Sequence, residues 1–583
     1  MQSRWVNKQD GDEQVVKHLM EVLSVDEHLA NLLAQREVRS YEEAKAFFRP
    51  GIEQLHDPFL MKDMDKAVDR VLLALKENEK ILIYGDYDED GTTSVALVYS
   101  YLKKYFKKRI EFYIPDRYSE GYGISFKGID HAAEHGYSLV IALDCGIKAV
   151  EKIAYATTKN VDFIICDHHR PGDELPAAVA VLDTKRPDCN YPFNELSGCG
   201  VGFKLISALA QVQNEPFEQV FQYIDLVAIS IAADIVPIIG ENRILAHFGL
   251  KAINAKPRAG IEAILSYSQI RRREFPDEDK GLVLTRELTI SDLVFLIGPR
   301  INAAGRIESA CNSVRLLIAD KMEHAEKLAD AVNNLNTERR SLDEHITEEA
   351  LAMIEADTDH KGAKSTVVYN EKWHKGVIGI VASRLTETYY RPTIVLTHAN
   401  DLITGSARSV KNFDVYDAID QCASLLEHFG GHKYAAGLSL RPENLEAFRK
   451  KFNDYVSATI GDDMLVPEIE IDQCLDFDLI TEKFYRILKQ FAPFGPGNMS
   501  PVFRSDFIVD TGNSRVVGKN HLKLELMQQT SRSKEFSGIA FQKGHLFDQI
   551  KTGKPFSICY QIEENEWMGK SNLQLNIKDI KFD

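Results

Sequence analysis

The sequence predicts an α/β protein: a doubly wound parallel-sheet domain, a long connecting helix, a second α/β domain and a small C-terminal β-barrel. Three observations indicate this fold class. Between residues about 70 and 240, short apolar runs alternate with amphipathic helical stretches, a pattern typical of parallel strands covered by helices on both faces. Residues about 361–460 repeat that pattern. After residue about 463, apolar and polar residues alternate, as in short antiparallel strands.

Length and composition fit a soluble multidomain protein. The chain has 583 residues, of which 44% are hydrophobic and 27% charged. Its net charge of −17 argues against non-specific nucleic-acid binding through overall charge, although it leaves room for a local basic groove. The eight cysteines form no CxxC pair and suit reduced thiols in the cytoplasm. We find no apolar signal region and no run long enough for a membrane span, so we expect a cytoplasmic protein.

The first α/β region follows a polar, helical N-terminal segment, residues 1–60. Residues 61–318 are expected to form the parallel-sheet domain, with strands in "KILIYG", "SLVIALDCG", "VDFIICD" and "AVAVLD". After the first strand, an apolar seam at helical spacing predicts a crossover helix. Its members are Val95, Val98, Leu102 and Phe106.

The remaining segments follow in order. Residues 319–357 predict a connecting helix, since apolar residues recur there at three, four or seven positions. Residues 358–462 predict the second α/β domain, with strands in "STVVYN" and "PTIVLTH", a helix in "GVIGIVASRL" and a glycine-rich turn in "FGGHKYAAG". Residues 463–583 predict an OB-like barrel from "HLKLELM", "SICYQI" and "LQLNIKDIKF", although a sandwich would show the same pattern.

The stretch "ILIYGDYDEDGTTS" at residues 81–94 places four acids directly after a buried strand. Its spacing matches the opening of a calcium-binding EF-hand loop. The twelfth position, however, is Leu97 rather than glutamate, and a strand precedes the loop. The simple alternative is a turn whose carboxylate caps the next helix. One carboxylate suffices for a cap, so the other acids need another explanation.

Further candidate residues follow the later strands. In a doubly wound sheet, ligands bind beyond the carboxyl ends of the strands, so residues after neighbouring strands share one crevice. Asp234 ends a buried apolar segment, where an unpaired carboxylate would be costly. The residues expected to converge are Asp86, Asp88 and Asp90 after the first strand, Asp144 after the next, Asp167, His168 and His169 after the third, and Asp234.

So much negative charge in one crevice requires cations, because carboxylates close together repel each other. Carboxylates with a few imidazoles and no thiolate favour Mn²⁺ or Mg²⁺. Two such ions, about 3.5–4 Å apart, activate water and stabilise an in-line displacement at phosphorus. Each of these residues alone is more simply a helix cap or a core histidine. The prediction of a two-metal phosphoesterase therefore depends on the whole set.

With these residues the chain resembles the DHH phosphoesterase superfamily, named after the "DHH" found here at 167–169. The series "GDYDEDGTTS", "PDRYSEGYG", "ALDCG", "CDHH", "SIAADIVP" and "GPRINAAGRI" is similar to the RecJ-type single-strand-specific DNA exonucleases. "GSARS" and "GGHKYAAG" resemble the companion DHHA1 domain, and the tail resembles the OB-like domain of that family. The resemblance covers residues about 60–460 in motif order.

The resemblance implies a ligand set for two metal ions. Asp86 would ligate one ion and Asp88 the other, while Asp144 would bridge both. His168 and Asp234 would complete the shell of the second ion.

Three further residues would act around the ions. By the resemblance, His169 would face the scissile phosphate, Asp167 would orient its neighbours, and Asp90 would be an additional or outer ligand. Small-molecule members of the superfamily carry a histidine four residues before the first aspartate, where this chain has Leu82. This departure favours the RecJ-type branch and weakens the shell of the first ion.

Single-stranded DNA needs phosphate contacts and faces for base stacking. The resemblance implies that donors in "GSARS" hold the 5′ end and that a histidine in the glycine-rich stretch contacts nucleic acid. The residues expected to bind substrate are Arg117, Arg300, Asn302, Arg306, Ser406, Arg408 and His432. Tyr118 and Tyr122 are candidates for base stacking, or for simple packing.

The sequence thus predicts a metal-dependent 5′-to-3′ exonuclease that releases 5′-mononucleotides from single-stranded DNA, in repair and recombination. One alternative is a phosphodiesterase of small nucleotides or oligonucleotides, which Leu82 and the barrel domain disfavour. Another is an inactive DNA-binding scaffold, which the complete set of acids and imidazoles disfavours. By the resemblance, partners would be a single-strand-binding protein and a RecQ-type helicase. We expect a monomer.

Overall fold

The first apolar runs form one parallel sheet in the computed structural model, which describes residues 3–274, 282–356, 362–399, 401–530, 534–567 and 570–582. The strands up to residue 182 are β1 (Arg4–Asn7), β2 (Lys80–Gly85), β3 (Ile110–Tyr113), β4 (Tyr137–Leu143), β5 (Asp162–Cys166) and β6 (Ala180–Leu182). Their order in the sheet is β3-β2-β4-β5-β6, and all neighbours are parallel. The predicted parallel-sheet class is confirmed.

Burial on both faces explains these strands. Leu82 and Ile83 are neighbours in β2, so their side chains point to opposite faces, and both are fully buried. Strand β3 was missed from the sequence. It lies at the sheet edge and carries the exposed Glu111, so it lacks a continuous apolar run.

Helices cover the sheet. Helix α5 follows β2 directly, and its predicted apolar seam is buried. The long connecting helix is observed as α16. The helices up to residue 356 are α1 (Glu13–Leu23), α2 (Glu27–Ala34), α3 (Tyr41–Phe48), α4 (Met64–Lys76), α5 (Glu89–Phe106), α6 (Phe126–Glu134), α7 (Val150–Thr158), α8 (Gly198–Val212), α9 (Glu218–Phe221), α10 (Ile224–Ala233), α11 (Gly240–Ala255), α12 (Ala259–Ser266), α13 (Ile290–Asp292), α14 (Gly298–Ile307), α15 (Cys311–Leu317) and α16 (Met322–Ala356).

The chain divides into two units. The larger unit comprises Trp5–Pro115, Glu120–Gly298 and Ile469–Asp583, and the smaller unit comprises Met1–Arg4, Asp116–Ser119 and Pro299–Glu468. The larger unit therefore contains both the parallel sheet and the C-terminal region. The predicted boundary between residues 357 and 358 lies outside the described residues.

The smaller unit is built on a mixed five-stranded sheet. Two short strands, β7 (Arg272–Glu274) and β8 (Leu282–Leu284), precede it in the chain. Its own strands are β9 (Thr366–Tyr369), β10 (Thr393–Ala399), β11 (Leu402–Arg408), β12 (His428–His432) and β13 (Ala435–Leu440), in the order β12-β13-β11-β10-β9. The helices of this unit after α16 are Ile378–Tyr389, Val415–Asp420 and Leu445–Thr459.

The glycine-rich turn predicted in "FGGHKYAAG" is wrong for most of its length. The stretch forms the hairpin of β12 and β13, and only Lys433 and Tyr434 make the turn between them. Gly430 pairs with Gly437 across the two strands. Strands built from such small residues carry no apolar alternation, which is the signal that sequence analysis relies on.

The C-terminal region closes into a barrel. Its strands run β15-β16-β20-β21-β19-β18-β17, and β16 also pairs with β18, so that β16, β20, β21, β19 and β18 form a closed ring. This closure decides for the predicted OB-like barrel over a sandwich. The strands are β14 (Glu468–Ile471), β15 (Gln473–Cys474), β16 (Phe503–Asp510), β17 (Arg515–Val517), β18 (His521–Gln528), β19 (Glu535–Ala540), β20 (Phe556–Trp567) and β21 (Lys570–Phe582), with helices Glu482–Lys489 and Phe547–Ile550.

The N-terminal segment contains helices α1 to α3, as the sequence indicates, and in addition strand β1. Its helices share one hydrophobic core with the barrel region: Leu19 and Leu29 belong to the same buried cluster as Phe484 and Phe503. No described helix combines the length and the apolar composition needed to cross a membrane.

Candidate active site

The acid turn, residues 86–90, connects β2 to α5 in the larger unit. Asp86 is fully buried. Gly91 allows the close approach of the two elements, because a Cβ there would lie 2.6 Å from the Asp86 carbonyl oxygen. Asp88 is the N-cap of α5, and its Oδ1 accepts a hydrogen bond from the Gly91 N–H at 3.1 Å. The helix-cap explanation therefore applies to Asp88, one of the four acids of the turn.

Asp144 follows β4, which lies beside β2 at the point where the strand order reverses. Its backbone φ is +58°, a left-handed conformation that is costly for most residues. The residue is 2% exposed. A Cβ at Gly198, the first residue of α8, would lie 2.7 Å from the Asp144 Cβ, so glycine is required there. Burial and the charges of Asp90, Asp88 and Asp234 raise the pKa of Asp144 well above its usual range.

His168 lies among three carboxylates. Its Nε2 is 3.2 Å from Asp144 Oδ1, 3.5 Å from Asp234 Oδ2 and 3.6 Å from Asp90 Oδ2. Yet neither ring nitrogen of this buried side chain makes a hydrogen bond within the described residues, and Asp144 Oδ1 makes none either. Burial lowers the pKa of His168, which favours the neutral ring that binds metals. Buried polar atoms without partners are costly, so these atoms fit a bound cation.

The ligand atoms form two overlapping groups. Those of Asp144, His168 and His169 lie within 4.8 Å of one another, and so do those of Asp90, His168 and Asp234. The donor set of carboxylates and imidazole is the one that Mn²⁺ and Mg²⁺ accept. The predicted ligands Asp86 and Asp88 belong to neither group among the described residues. They stay predictions on the strength of the turn that they share with Asp90.

Asp167 accepts hydrogen bonds from the backbone and side chain of the histidines that follow it. Its Oδ1 accepts hydrogen bonds from the His168 N–H at 2.7 Å, the His169 N–H at 3.1 Å and His169 Nδ1 at 2.7 Å, and its Oδ2 accepts one from the Ile147 N–H at 2.9 Å. Burial raises the pKa of Asp167, but the hydrogen bond and charge of His169 outweigh it and lower the pKa to about 2. The orienting role that the resemblance implies for Asp167 stays a prediction.

His169 is the more open of the two histidines, with 44% of its side chain exposed. Partial burial lowers its pKa, but the hydrogen bond and charge of Asp167 raise it to about 9. Without bound cations, the ring is therefore protonated near neutral pH. Its Nε2 lies 3.2 Å from the Tyr122 hydroxyl oxygen, which places Tyr122 at this site rather than in the core.

Asp90 anchors two helices to the acid turn. Its Oδ2 accepts a hydrogen bond from the Gly198 N–H at 2.7 Å, and its Oδ1 accepts hydrogen bonds from the Cys199 N–H at 2.8 Å and the Ser230 hydroxyl at 2.7 Å. It thus fixes the start of α8 and the middle of α10 beside His168. Helix α10 ends at Asp234, which brings that carboxylate to the same place.

Asp183 is a functional candidate that the sequence analysis missed. It directly follows β6 and is fully buried. Its Oδ1 accepts a hydrogen bond from the Lys185 N–H at 2.7 Å. Burial raises its pKa to about 7. The rule that found Asp86, Asp144 and Asp167 also covers this residue, because it ends the predicted strand "AVAVLD".

The smaller unit contains all seven residues predicted to bind substrate. Ser406 and Arg408 alternate along β11 and therefore share one face of its sheet, where Arg408 Nη1 donates to the Ser406 hydroxyl at 3.0 Å. A Cβ at Gly379 would lie 3.0 Å from Ser406 Oγ and 3.1 Å from Arg408 Nη2, so the helix Ile378–Tyr389 begins against this pair. Burial and the positive charge of Arg117 lower the pKa of Arg408.

Lys375 adds to this positive charge. Burial and Arg117 lower its pKa too. Like charges held together in this way favour a bound anion. The sequence analysis missed Lys375, since an isolated lysine after a strand carries no distinctive signal.

His432 lies two strands from Arg408 in the same sheet. Both pair with Ala435 of β13, which places all three on one face and the two outer strands about 10 Å apart. Arg306 Nη1 donates to the Gly376 carbonyl at 3.2 Å, and Arg300 Nε donates to Asn333 Oδ1 at 3.2 Å. For Asn302 the structure gives a position on α14. These residues remain predictions.

Comparison with known protein families gives three matches. The model of the DHH family, N-terminal domain, matches residues 80–231, the DHHA1 domain matches 362–458 and the RecJ OB domain matches 471–579.

Similar proteins and structures agree with these matches. The single-stranded-DNA-specific exonuclease RecJ of Bacillus subtilis is 36% identical over 99% of this chain and 70% of its own, and the Escherichia coli RecJ is 32% identical over 95% of both. The crystal structure of Thermus thermophilus RecJ in complex with Mn²⁺ matches with a TM-score of 0.83, at 25% identity, over 100% of this chain and 80% of that one. A structure of exonuclease RecJ bound to manganese matches with a TM-score of 0.58, at 29% identity, over 71% and 98%.

The similarity therefore extends over nearly the whole length of this chain and over 70% and 95% of the two RecJ sequences, and it includes the sheet edge where the acids and imidazoles converge. The chain belongs to the RecJ family of single-stranded-DNA-specific exonucleases.

Proposed function

We propose that this protein is a metal-dependent exonuclease that removes 5′-mononucleotides from the 5′ end of single-stranded DNA. The observation that carries the proposal is the buried His168, whose two ring nitrogens make no hydrogen bond with any described residue while three carboxylates surround it. Such a group is costly in a folded protein unless cations occupy it.

Asp86, Asp88, Asp144, His168 and Asp234 would hold two Mn²⁺ or Mg²⁺ ions. When bound, such ions activate water and neutralise charge that develops on the phosphoryl group. The manganese named for the similar RecJ structures supports this choice of ion.

His169 would act on the scissile phosphate itself. Asp167 accepts a hydrogen bond from Nδ1, which leaves Nε2 facing the Tyr122 hydroxyl, where a phosphate oxygen would take the place of that hydroxyl. A charged donor held in fixed orientation stabilises negative charge at phosphorus without reorganising. Through its hydrogen bonds to Gly198 and Ser230, Asp90 would hold the start of α8 and the end of α10, with Asp234, in position beside this donor.

Arg117, Ser406 and Arg408 would bind the 5′-terminal phosphate. Arginine forks and a hydroxyl are the donors that phosphate oxygens accept, and the pKa of Arg408 is lowered by burial and by Arg117. An anion bound here would remove the repulsion between the two arginines. Arg300, Asn302, Arg306 and His432 would contact the strand further along.

The finer predictions on organisation belong to the same proposal. The three family models lie inside the predicted domains 61–318, 358–462 and 463–583, which supports those limits. A DNA substrate supports a cytoplasmic location. Action as a monomer, with a single-strand-binding protein and a RecQ-type helicase as partners, rests on the family resemblance alone.

The test uses single-stranded DNA labelled at either end, with Mn²⁺ and with EDTA, and with duplex DNA and a cyclic dinucleotide as alternative substrates. We expect labelled mononucleotides from the 5′ end first, from single strands only, and none with EDTA. An Asp144→Asn protein purified in parallel controls for contaminating nucleases. Turnover of the dinucleotide with intact DNA, or binding of DNA without cleavage, would overturn the proposal.

A further inference from the structure

Ile235 has an unusual backbone. Its φ is +58°, and it is the one β-branched residue with positive φ in the described part of the chain. This left-handed conformation brings Cβ close to the backbone carbonyl, and a second branch at Cβ worsens the crowding. Glycine or asparagine adopts the same conformation at much lower cost.

The side chain of Ile235 is also exposed. Its relative exposure is 62%, whereas its neighbours Val236 and Ile238 are buried at 7% and 0%. An isoleucine at this position is therefore unfavourable twice, through its backbone and through its contact with water. Glycine at this position would avoid both costs, so the isoleucine side chain is better explained by contact with a ligand.

Ile235 stands beside the metal centre. It directly follows Asp234, whose Oδ2 lies 3.5 Å from His168 Nε2. Consecutive Cα atoms are about 3.8 Å apart, so Ile235 lies at the edge of the acid-rich crevice with its side chain exposed. A strained backbone beside a reactive centre points to a role in that centre.

The ionisable side chains that converge beside Ile235 are carboxylates and an imidazole, and an aliphatic side chain offers no donor to a phosphate. The part of single-stranded DNA that offers an apolar face is the base. Nucleic-acid-binding proteins insert aliphatic side chains, isoleucine included, against or between bases.

We propose that Ile235 packs against the base of a nucleotide that flanks the scissile phosphate, and so positions that phosphate over the metal centre. This inference rests on the proposed exonuclease function and adds a specificity-determining contact to it. The contact forms when the strand binds and persists during the reaction, so its loss affects substrate affinity more than the chemical step.

The experiment compares wild type with Ile235→Gly, which removes the side chain and relieves the backbone strain. Ile235→Val keeps a β-branched apolar group and serves as the conservative variant. Gln269→Gly is the matched control, because Gln269 is exposed, has a φ of +59° in the same unit and lies in no predicted site. Each protein is assayed for Tm and for kcat and KM on 5′-phosphorylated single strands.

We expect Ile235→Gly to raise KM by about tenfold with kcat nearly unchanged, and Ile235→Val to restore most of the affinity. Gln269→Gly should leave KM unchanged. Neither glycine variant should lower Tm, because relief of strain offsets the added freedom of the unfolded chain. A KM for Ile235→Gly equal to that of wild type would overturn the inference, as would a rise that accompanies a fall in Tm.

Substrates that lack one base identify the contact. Strands with an abasic residue at position one, two or three from the 5′ end are compared between wild type and Ile235→Gly. At the contacted position, the KM of wild type should rise to that of Ile235→Gly, and the KM of the variant should not rise further. If the ratio of the KM values of the two proteins stays the same on all three substrates, the proposed base contact is wrong. Wild type without any activity on DNA would instead refute the exonuclease function.

Discussion

Two regions of the molecule gather like charges, with opposite sign. In the larger unit, Asp144 and Asp234 lie around His168 with raised carboxyl pKa values. In the smaller unit, Arg408 and Lys375 lie near Arg117 with lowered pKa values. In both regions, burial and neighbouring like charge act in the same direction.

The difference in sign indicates what each region binds. Crowded carboxylates favour divalent cations, while crowded arginine and lysine side chains favour a phosphate. An enzyme that hydrolyses a phosphodiester at a strand end needs both. Each region can be weakened separately, so the comparison can be tested by variants that change one charge at a time.

The largest effect is expected from Asp144→Asn. Loss of this carboxylate should lower kcat/KM on single-stranded DNA by about a thousandfold, since metal ions contribute several kcal/mol to such reactions. In EDTA the variant should melt higher than wild type, because the raised pKa of Asp144 shows that its charge is unfavourable without cations. Steady-state kinetics and thermal melts measure both effects.

The control for this variant lies at the other end of the same sheet. Asp162 begins β5, pairs with Arg70 and has a side chain that is 50% exposed, so Asp162→Asn should leave activity unchanged. Equal losses of activity in Asp144→Asn and Asp162→Asn would show that negative charge anywhere in this sheet, rather than a ligand of the metal centre, supports activity.

A smaller effect is expected from Gly198→Ala. The added methyl carbon would lie 2.7 Å from the Asp144 Cβ, so the carboxylate or helix α8 must move. A misplaced ligand should lower kcat by about a hundredfold. Gly200→Ala, two residues further along the same helix, meets its nearest neighbour at 3.4 Å and should be nearly neutral. If both variants are neutral, close packing of α8 on Asp144 is not required.

Arg408→Ala tests the positive region. We expect KM for 5′-phosphorylated strands to rise roughly 10- to 100-fold, because a charged hydrogen bond contributes about 1.5–3 kcal/mol. KM for strands with a 5′-hydroxyl should change little. The control is Arg441→Ala, an exposed arginine of the same unit that pairs with Glu427. Equal rises on both kinds of strand would contradict a 5′-phosphate site.

The smallest effect concerns the Asp167–His169 pair in metal-free protein. The pKa of His169 is raised from 6.5 to about 9. The stability that the charged ring gives to the folded protein is therefore complete below pH 6.5 and disappears as pH rises through 9. The pKa of Asp167 is lowered from 3.8 to about 2. The stability that this carboxylate gives to the folded protein is therefore present above pH 3.8 and is lost as pH falls through 2. NMR titration should show the His169 pKa falling towards 6.5 in Asp167→Asn. An unchanged value would contradict the pairing.

The strand-end rule accounts for most of what could be predicted. Asp86, Asp144 and Asp167 converge because β2, β4 and β5 are neighbours in a parallel sheet, and apolar runs identify such strands in the sequence. The same rule covers Asp183, which was overlooked. The edge strand β3 and the glycine-rich hairpin carry weak apolar patterns, so sequence analysis missed them.

Other features depend on contacts that sequence cannot supply. The anchoring of Asp90 joins it to Gly198 and Ser230, residues 108 and 140 positions away. Asp144 and Ile235 both have a positive φ. Neither position holds a glycine, the residue that signals this conformation most clearly in a sequence.

The most direct test of the account is a count of bound Mn²⁺ ions by calorimetric titration and electron paramagnetic resonance, with wild type and Asp144→Asn. We expect two ions per chain in wild type, weakened or lost in the variant, without any change in fold by circular dichroism. Wild type that binds no Mn²⁺, or a variant that binds two ions as tightly as wild type, would contradict it.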